Sequence, residues 1–544
     1  MKLRHILLSS LAICALSVSA QTHTQGIEYY KADQFYNAEE LLNRNLNNAG
    51  TDKALSYYYL GQIAMRNGNE LQASKYYNDG IAANSENPYN YVGLGYIALK
   101  NNDTKTAEKY FKDAESRAKK DQSVLVEIAR AYYNTDPVKY KALYDKRIEQ
   151  AMKKDKDNPD IYIFQGDELR QNAYATGDSK LYGQAAAKYE MATSKDPQSA
   201  VAYVKYADMY MNAHNPNYAI TKLEELIRNN PTSALGQREL ANAYYENNQY
   251  DQAAEQYGKY VNNPNHFKSD EDRYAFILFA DNKYNDGYNY ASSLLRENPK
   301  NFTAMRFQFM NAAQLDSMQD QLLPLAENLV AAHNASPENK FAAIDYTLVA
   351  DELNKAGRTD DAIAILQEAK RELPTNINFD KQLASIYIDK GDYEGASDAY
   401  GDYLAKVEKP GYNEYIQQAL YAYFGGLKEG NTKYFDTARE NAQKAAEASP
   451  AQYKPYKVMG DVAVATATKE TAPIVAKDLY ATGIELLEAN PDPRFNNDAK
   501  VMYNYLGNYY LDQKNTSEAK KYFSKYLELD PDNADYRKFV DSLK

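Results

Sequence analysis

Apolar and polar positions alternate in short helical stretches that come in pairs. Between Gln237 and Pro264, Leu240, Ala241 and Tyr244 fall at i, i+1 and i+4, and Ala253, Tyr257 and Tyr260 at i, i+4 and i+7. Each set makes one face of a helix. A polar Asn-Asn-Gln stretch at 247–249 separates the two faces and Pro264 closes the pair. The pattern predicts a helix-turn-helix hairpin whose helices are too short to stand alone in water, so each must bury its face against a neighbour.

The same pattern recurs at a fixed period. Taking the small residue of the first helix as a marker, Gly61, Gly95 and Ala129 are 34 residues apart, as are Ala207, Ala241 and Ala275, and Ala350 and Ala384. A second alanine follows its marker by 12 residues at Ala73, Ala107, Ala219, Ala253, Ala362, Ala396 and Ala519, where two helices must approach closely. Prolines at 197, 231, 264, 299, 374, 450, 491 and 531 end the second helices, because proline cannot continue a helix. A sustained period of this length indicates stacked supersecondary units.

These residues resemble the tetratricopeptide repeat family. The best matches are Tyr91-Leu94-Gly95-Ala107-Phe111-Ala114, Tyr203-Ala207-Tyr210-Ala219-Pro231 and Tyr503-Leu506-Gly507-Tyr510-Ala519-Phe523-Pro531. The resemblance implies an all-α fold, a right-handed superhelical solenoid of antiparallel helix hairpins with about 12–14 units. It divides the chain into a signal peptide at 1–20, an amino-terminal array at 21–299, a degenerate repeat or hinge at 300–336, and a carboxy-terminal array at 337–544 with a capping helix at 533–543. Two units are longer than the rest. Gly166 to Pro197 and Gly460 to Pro491 each span 31 residues, where Ala207 to Pro231 spans 24, and both open with Gly-Asp. The preferred reading is one ancestral insertion that was duplicated; projecting loops that touch a partner are the alternative.

Composition adds the cellular context. Lys2 and Arg4 precede an apolar run from Ile6 to Leu16 and small residues up to Ala20, the pattern of a secretory signal peptide cleaved before Gln21. Cleavage takes the formal net charge from -12 to -14 by removing two cations. The sole cysteine, Cys14, lies in this segment behind bulky Ile13, which disfavours lipidation, so the mature chain is expected to have no thiol for disulfides, catalysis or metal binding. Tyr supplies 53 residues and Trp none, which suits thin packed layers where one end of the ring stays wet. Beyond the signal, no run is long enough to span a bilayer, and peripheral membrane association is left open.

No motif of phosphate binding, serine hydrolysis or zinc catalysis is present. His5, His23, His214, His266 and His333 are scattered and read as surface residues, and Asp530 to Asp535 reads as a capping turn. The acidic balance argues against nucleic acid. The reading is therefore a non-enzymatic protein with no cofactor and no metal.

What the resemblance implies about a site is the inner face lined by the first helices, at positions three before, one after and four after each marker. In the amino-terminal array this face is Val92, Tyr96, Leu99, Val126, Arg130, Tyr133, Ile163, Arg170, Met211, Arg238, Asn242 and Tyr245, with Asp167, Asp208 and Val204 among them. The matching stripe of the second array, Thr347, Asp351, Asn354, Lys381, Ser385, Ile388, Asn504, Asn508 and Leu511, is more polar. The expected function is a protein-interaction scaffold of the bacterial envelope, exported to the periplasm or outer membrane, that binds other envelope proteins in its first groove. The alternatives are side chains that only pack adjacent units, and a glycan-binding component of an outer-membrane uptake system.

Overall fold

The computed structural model describes residues 23–428 and 432–543; the signal peptide read from the sequence, with Cys14, lies outside the described residues. The chain divides after Glu297 into two compact units. Each is a right-handed solenoid of antiparallel helix pairs, and no strand occurs among the described residues.

The first unit comprises α1 (His23–Lys31), α2 (Phe35–Asn45), α3 (Lys53–Arg66), α4 (Glu70–Ala83), α5 (Tyr89–Lys100), α6 (Thr104–Arg117), α7 (Ser123–Thr135) and α8 (Lys141–Lys154). It continues through α9 (Pro159–Thr176), α10 (Ser179–Lys195), α11 (Ala200–Asn212), α12 (Pro216–Asn229), α13 (Ala234–Glu246), α14 (Tyr250–Val261), α15 (Lys268–Ala280) and α16 (Tyr284–Glu297). Most turns within a pair are closed by one residue in the left-handed region, seven after the marker at Gly68, Asn102, His214, Asn248 and Asn282 and eleven after it at Gly177. Gly or Asn relieves the clash that a Cβ makes there. The following polar residue often caps the second helix, as Asn69 accepts from the Gln72 amide and Asp103 from that of Thr106.

The markers are small because a ring of the second helix lies on them. A Cβ added to Gly61 would stand 2.2 Å from Tyr77 Cε1, and one added to Gly95 would stand 2.4 Å from Phe111 Cε1. Tyr77 is also gripped from the next pair, since a Cβ on Gly93 would be 2.3 Å from the same ring atom. Tyr therefore serves the core more deeply than a half-wet ring would. Tyr58, Tyr189 and Tyr260 are buried whole, and their hydroxyls donate at 2.8 Å to Glu127, Asp167 and Asp270.

The two long units, though alike in sequence, are built differently. At Gly166 both helices are lengthened, α9 to 18 residues and α10 to 17. At Gly460, in the second unit, the helices Lys454–Thr466 and Lys477–Ala489 keep ordinary length, and the extra residues make a turn containing the short helix Ala472–Val475. The extra residues are thus taken up in two different ways.

In the second unit, Phe302–Ala312 and Gln319–Ala335 pack as a helix pair, with Pro324 inside the latter. Pairs follow through Thr516–Glu528, and Ala534–Ser542 lies on that last helix through Val540 and the stacked Tyr526 and Tyr536 rings, 4.3 Å apart. Asp380 is fully buried in this unit between Lys370 and Lys406, at 2.6 and 2.5 Å. No helix among the described residues is long and apolar enough to cross a membrane.

Candidate functional site

Helices α3, α5, α7 and α9 stand side by side and form the concave face of the first unit. Positions relative to the marker decide what each residue does. The residues three before it, Val92, Val126 and Ile163, are at most 3% exposed and pack between neighbouring helices. Leu99, four after, is at 1%. The face itself is made by residues one after (Gln62, Tyr96, Arg130, Asp167), four after (Met65, Tyr133, Arg170) and five after (Arg66, Lys100, Asn134, Gln171).

The first hairpin reaches across this face. Helix α1 touches α3 and also α11 and α13. Lys31 Nζ donates to both oxygens of Asp160 at 2.9 Å. Asp33, at the left-handed corner between α1 and α2, accepts from Arg170 Nη2 at 2.7 Å and Lys205 Nζ at 2.8 Å. Gln34 donates to Glu239 at 2.8 Å, and Tyr29 meets the edge of Phe267 with ring centres 5.2 Å apart.

Charge is tightly distributed at this closure. Burial alone would raise the Asp33 carboxyl, but the Lys205 and Arg170 cations outweigh it and hold it at about 2. Burial pushes Asp208 up to about 7, with Glu239 and Asp33 adding repulsion against the pull of Arg170 and Lys205. Burial likewise lifts Glu28 to about 7, reinforced by Asp196 and opposed by Lys31. Lys205 is buried between Asp33 and Asp167, at 2.8 and 2.9 Å, the pairing a buried ionisable group needs.

Between the first hairpin and the concave face lies a cavity of about 450 Å³. Of the residues singled out in the sequence, Tyr96, Arg130, Tyr133, Asp167 and Arg170 line it. Arg130 is bound by Asp167 at 3.2 Å and lies over the Phe164 ring. Arg238 is held instead by Asp270 at 2.7 Å and lies over Phe267. Met211, Asn242 and Tyr245 are half-buried on α11 and α13, and Tyr245 continues into Phe276, with ring centres 5.7 Å apart. Sequence reasoning missed Arg66, Lys100, Tyr30 and Phe35. The first two were findable as cations 34 residues apart at one register. Tyr30 and Phe35 were not, because their hairpin's partners across the face lie 129 to 205 residues away along the chain.

Two histidines read as surface residues are engaged in networks: His266 Nε2 lies 2.8 Å from Glu271 and His333 Nε2 lies 2.7 Å from Glu368. Among the described residues, no group of three or more His, Cys, Asp or Glu side chains converges as metal ligands would.

The sequence profiles of the tetratricopeptide repeat match residues 58–124, 204–266 and 502–533. No curated protein matches the chain. Among solved structures, the carboxy-terminal part of a tetratricopeptide repeat-containing protein from Cytophaga hutchinsonii is 20% identical, covering 50% of this chain and 99% of its own, with a TM-score of 0.39. A tetratricopeptide repeat protein from Parabacteroides merdae is 14% identical, covering 49% of this chain and 99% of its own, with a TM-score of 0.33. YrrB, a tetratricopeptide repeat protein described as having an unusual peptide-binding site, is 17% identical over 38% of this chain and 97% of its own, with a TM-score of 0.28. At such identities the likeness is one of architecture only. The chain carries tetratricopeptide repeats at residues 58–124, 204–266 and 502–533, among further helix pairs in each of its two units.

Proposed function

We propose that the mature chain is an exported, non-enzymatic scaffold of the bacterial envelope that holds a segment of another envelope protein on the concave side of its first unit. The observation that carries this reading is the row of half-buried side chains at the face positions of α11, α13 and α15, of which Asp208 and Asn242 are polar and Met211, Tyr245, Phe276 and Phe279 apolar or aromatic. A preformed apolar strip on stacked helices suits an amphipathic helix or extended segment, with affinity from burial and no bond made or broken. The acidic balance of the chain supports a protein partner over a nucleic acid.

The test is affinity capture from the native envelope with the mature chain and with a Tyr245→Ala, Phe279→Ala variant of unchanged helicity. A specific envelope protein retained by the first and lost by the second is expected. No specific protein, or equal capture by both, overturns the reading. Export is checked separately: the chain recovered from the envelope should begin at Gln21, and an intact signal segment would refute it.

A further inference from the structure

We propose that the cavity between the first hairpin and helices α3, α5, α7 and α9 is a binding site for a small ligand carrying a carboxylate or phosphate on a ring-bearing body. This does not depend on the protein-partner reading, which concerns the strip on α11, α13 and α15.

Size favours a small molecule over a folded segment. A helix about 10 Å across would exhaust a cavity of about 450 Å³ within roughly 6 Å of its length, about one turn. The volume lies instead within the range of roughly 300–1,000 Å³ typical of small-molecule sites.

Charge selects an anion. Three acids line the wall, and each is already held: Asp33 by Arg170 and Lys205, Asp167 by Lys205 and Arg130, and Glu168 by Lys141 at 3.1 Å. Two lining cations, Arg66 and Lys100, have no carboxylate partner among the described residues. Both sit five residues after a marker, at the last residues of adjacent helices α3 and α5. The Arg66 guanidinium lies 4.0 Å above the Phe35 ring, which holds its planar fork without using its donors. An uncompensated pair of cations in a chain of formal charge -12 is a local electrostatic target for anions.

The rings select the body. Tyr30, Phe35, Tyr96, Tyr133 and Phe164 supply the apolar part of the wall, with one face of Phe35 under Arg66 and one of Phe164 under Arg130, and the remaining aromatic faces suit a planar or sugar ring.

The site is tested by calorimetric titration of the mature chain with benzoate, with inorganic phosphate and with neutral benzamide. At least one anion should bind at millimolar concentration or below while benzamide does not. The Arg66→Gln, Lys100→Gln variant should weaken that binding tenfold or more with unchanged thermal unfolding, because both side chains are exposed. A Lys75→Gln, Lys109→Gln variant, altering exposed lysines of α4 and α6, should bind as wild type. Binding of neither anion, equal binding of benzamide, binding that survives the Arg66 and Lys100 changes, or binding of an acidic hexapeptide alone overturns the proposal.

Discussion

Replacing Gly61 by alanine should destabilise the second and third hairpins of the first unit, although alanine is the better helix former. The new methyl would stand 2.2 Å from Tyr77 Cε1, whereas carbon atoms in contact rest at about 3.5–4.0 Å. The ring would have to retreat by more than about 1 Å, and it has nowhere to go. Its position against Gly93 is equally close, at 2.3 Å for a Cβ there, and the ring is 0% exposed. Alanine returns about 1 kcal/mol of helix propensity, while overpacking of this kind costs about 1–3 kcal/mol and lies at the upper end where no side of the ring is free. The net loss is then about 1–2 kcal/mol. Stacked repeats do not unfold as one unit, so native-state hydrogen exchange is the appropriate assay. Amides of α3, α4 and α5 should exchange about 5–30 times faster, with little change in α13 to α16. In a Tyr77→Leu background the same glycine change should cost less, because the smaller side chain leaves room for the methyl. Unchanged or slower exchange in Gly61→Ala would refute the account of why the marker is small.

Two further outcomes follow from the closure and the turns. Asp208 and Glu28 hold their protons up to about pH 7 when folded but titrate near 3.8 and 4.5 when unfolded. The folded state therefore binds more protons across that window, and stability falls as pH rises from about 4 to 7 and is level above it. Urea unfolding of the first unit should show a higher midpoint at pH 5 than at pH 8, with a smaller difference in Asp208→Asn; an equal difference in the variant would sink this. Lys514 adopts the left-handed conformation at φ 60°, the register held by glycine at Gly357 and Gly391. Lys514→Gly should raise the local unfolding free energy by about 0.5–1 kcal/mol, the strain relieved less the extra chain entropy of glycine. Faster exchange in Thr516–Glu528 would contradict it.

Much of the local build was legible in the chain because each layer repeats one steric problem. A glycine or alanine faces a large side chain one helix away and a second small residue follows 12 later; Gly61, Ala73 and Tyr77 illustrate it, and Gly507, Ala519 and Phe523 repeat it with Pro531 ending the pair. The face of each helix was less legible. Positions three before the marker looked equivalent to those one and four after, yet Val92, Val126 and Ile163 turn into the seam between helices. Periodicity near 3.6 places residues on a side of a helix but does not say where a neighbour's coverage ends. For the same reason the row with Arg66 and Lys100, one position beyond the expected stripe, went unread.

What the sequence determined by itself is the hairpin, its period and its turn chemistry, since these depend on residues within a few tens of positions and recur many times. Whether the first hairpin meets helices four to six pairs further on was decided only by tertiary structure. That meeting sums a small rotation over every intervening pair, and it is sealed by contacts that occur once, Lys31 with Asp160 and Asp33 with Arg170 and Lys205. A contact made once leaves no period to read. The two long units make the same point, because the same number of extra residues lengthens helices after Gly166 and forms a separate turn after Gly460. An insertion's length is written in the sequence; whether it joins a helix depends on what the neighbouring pairs leave room to bury.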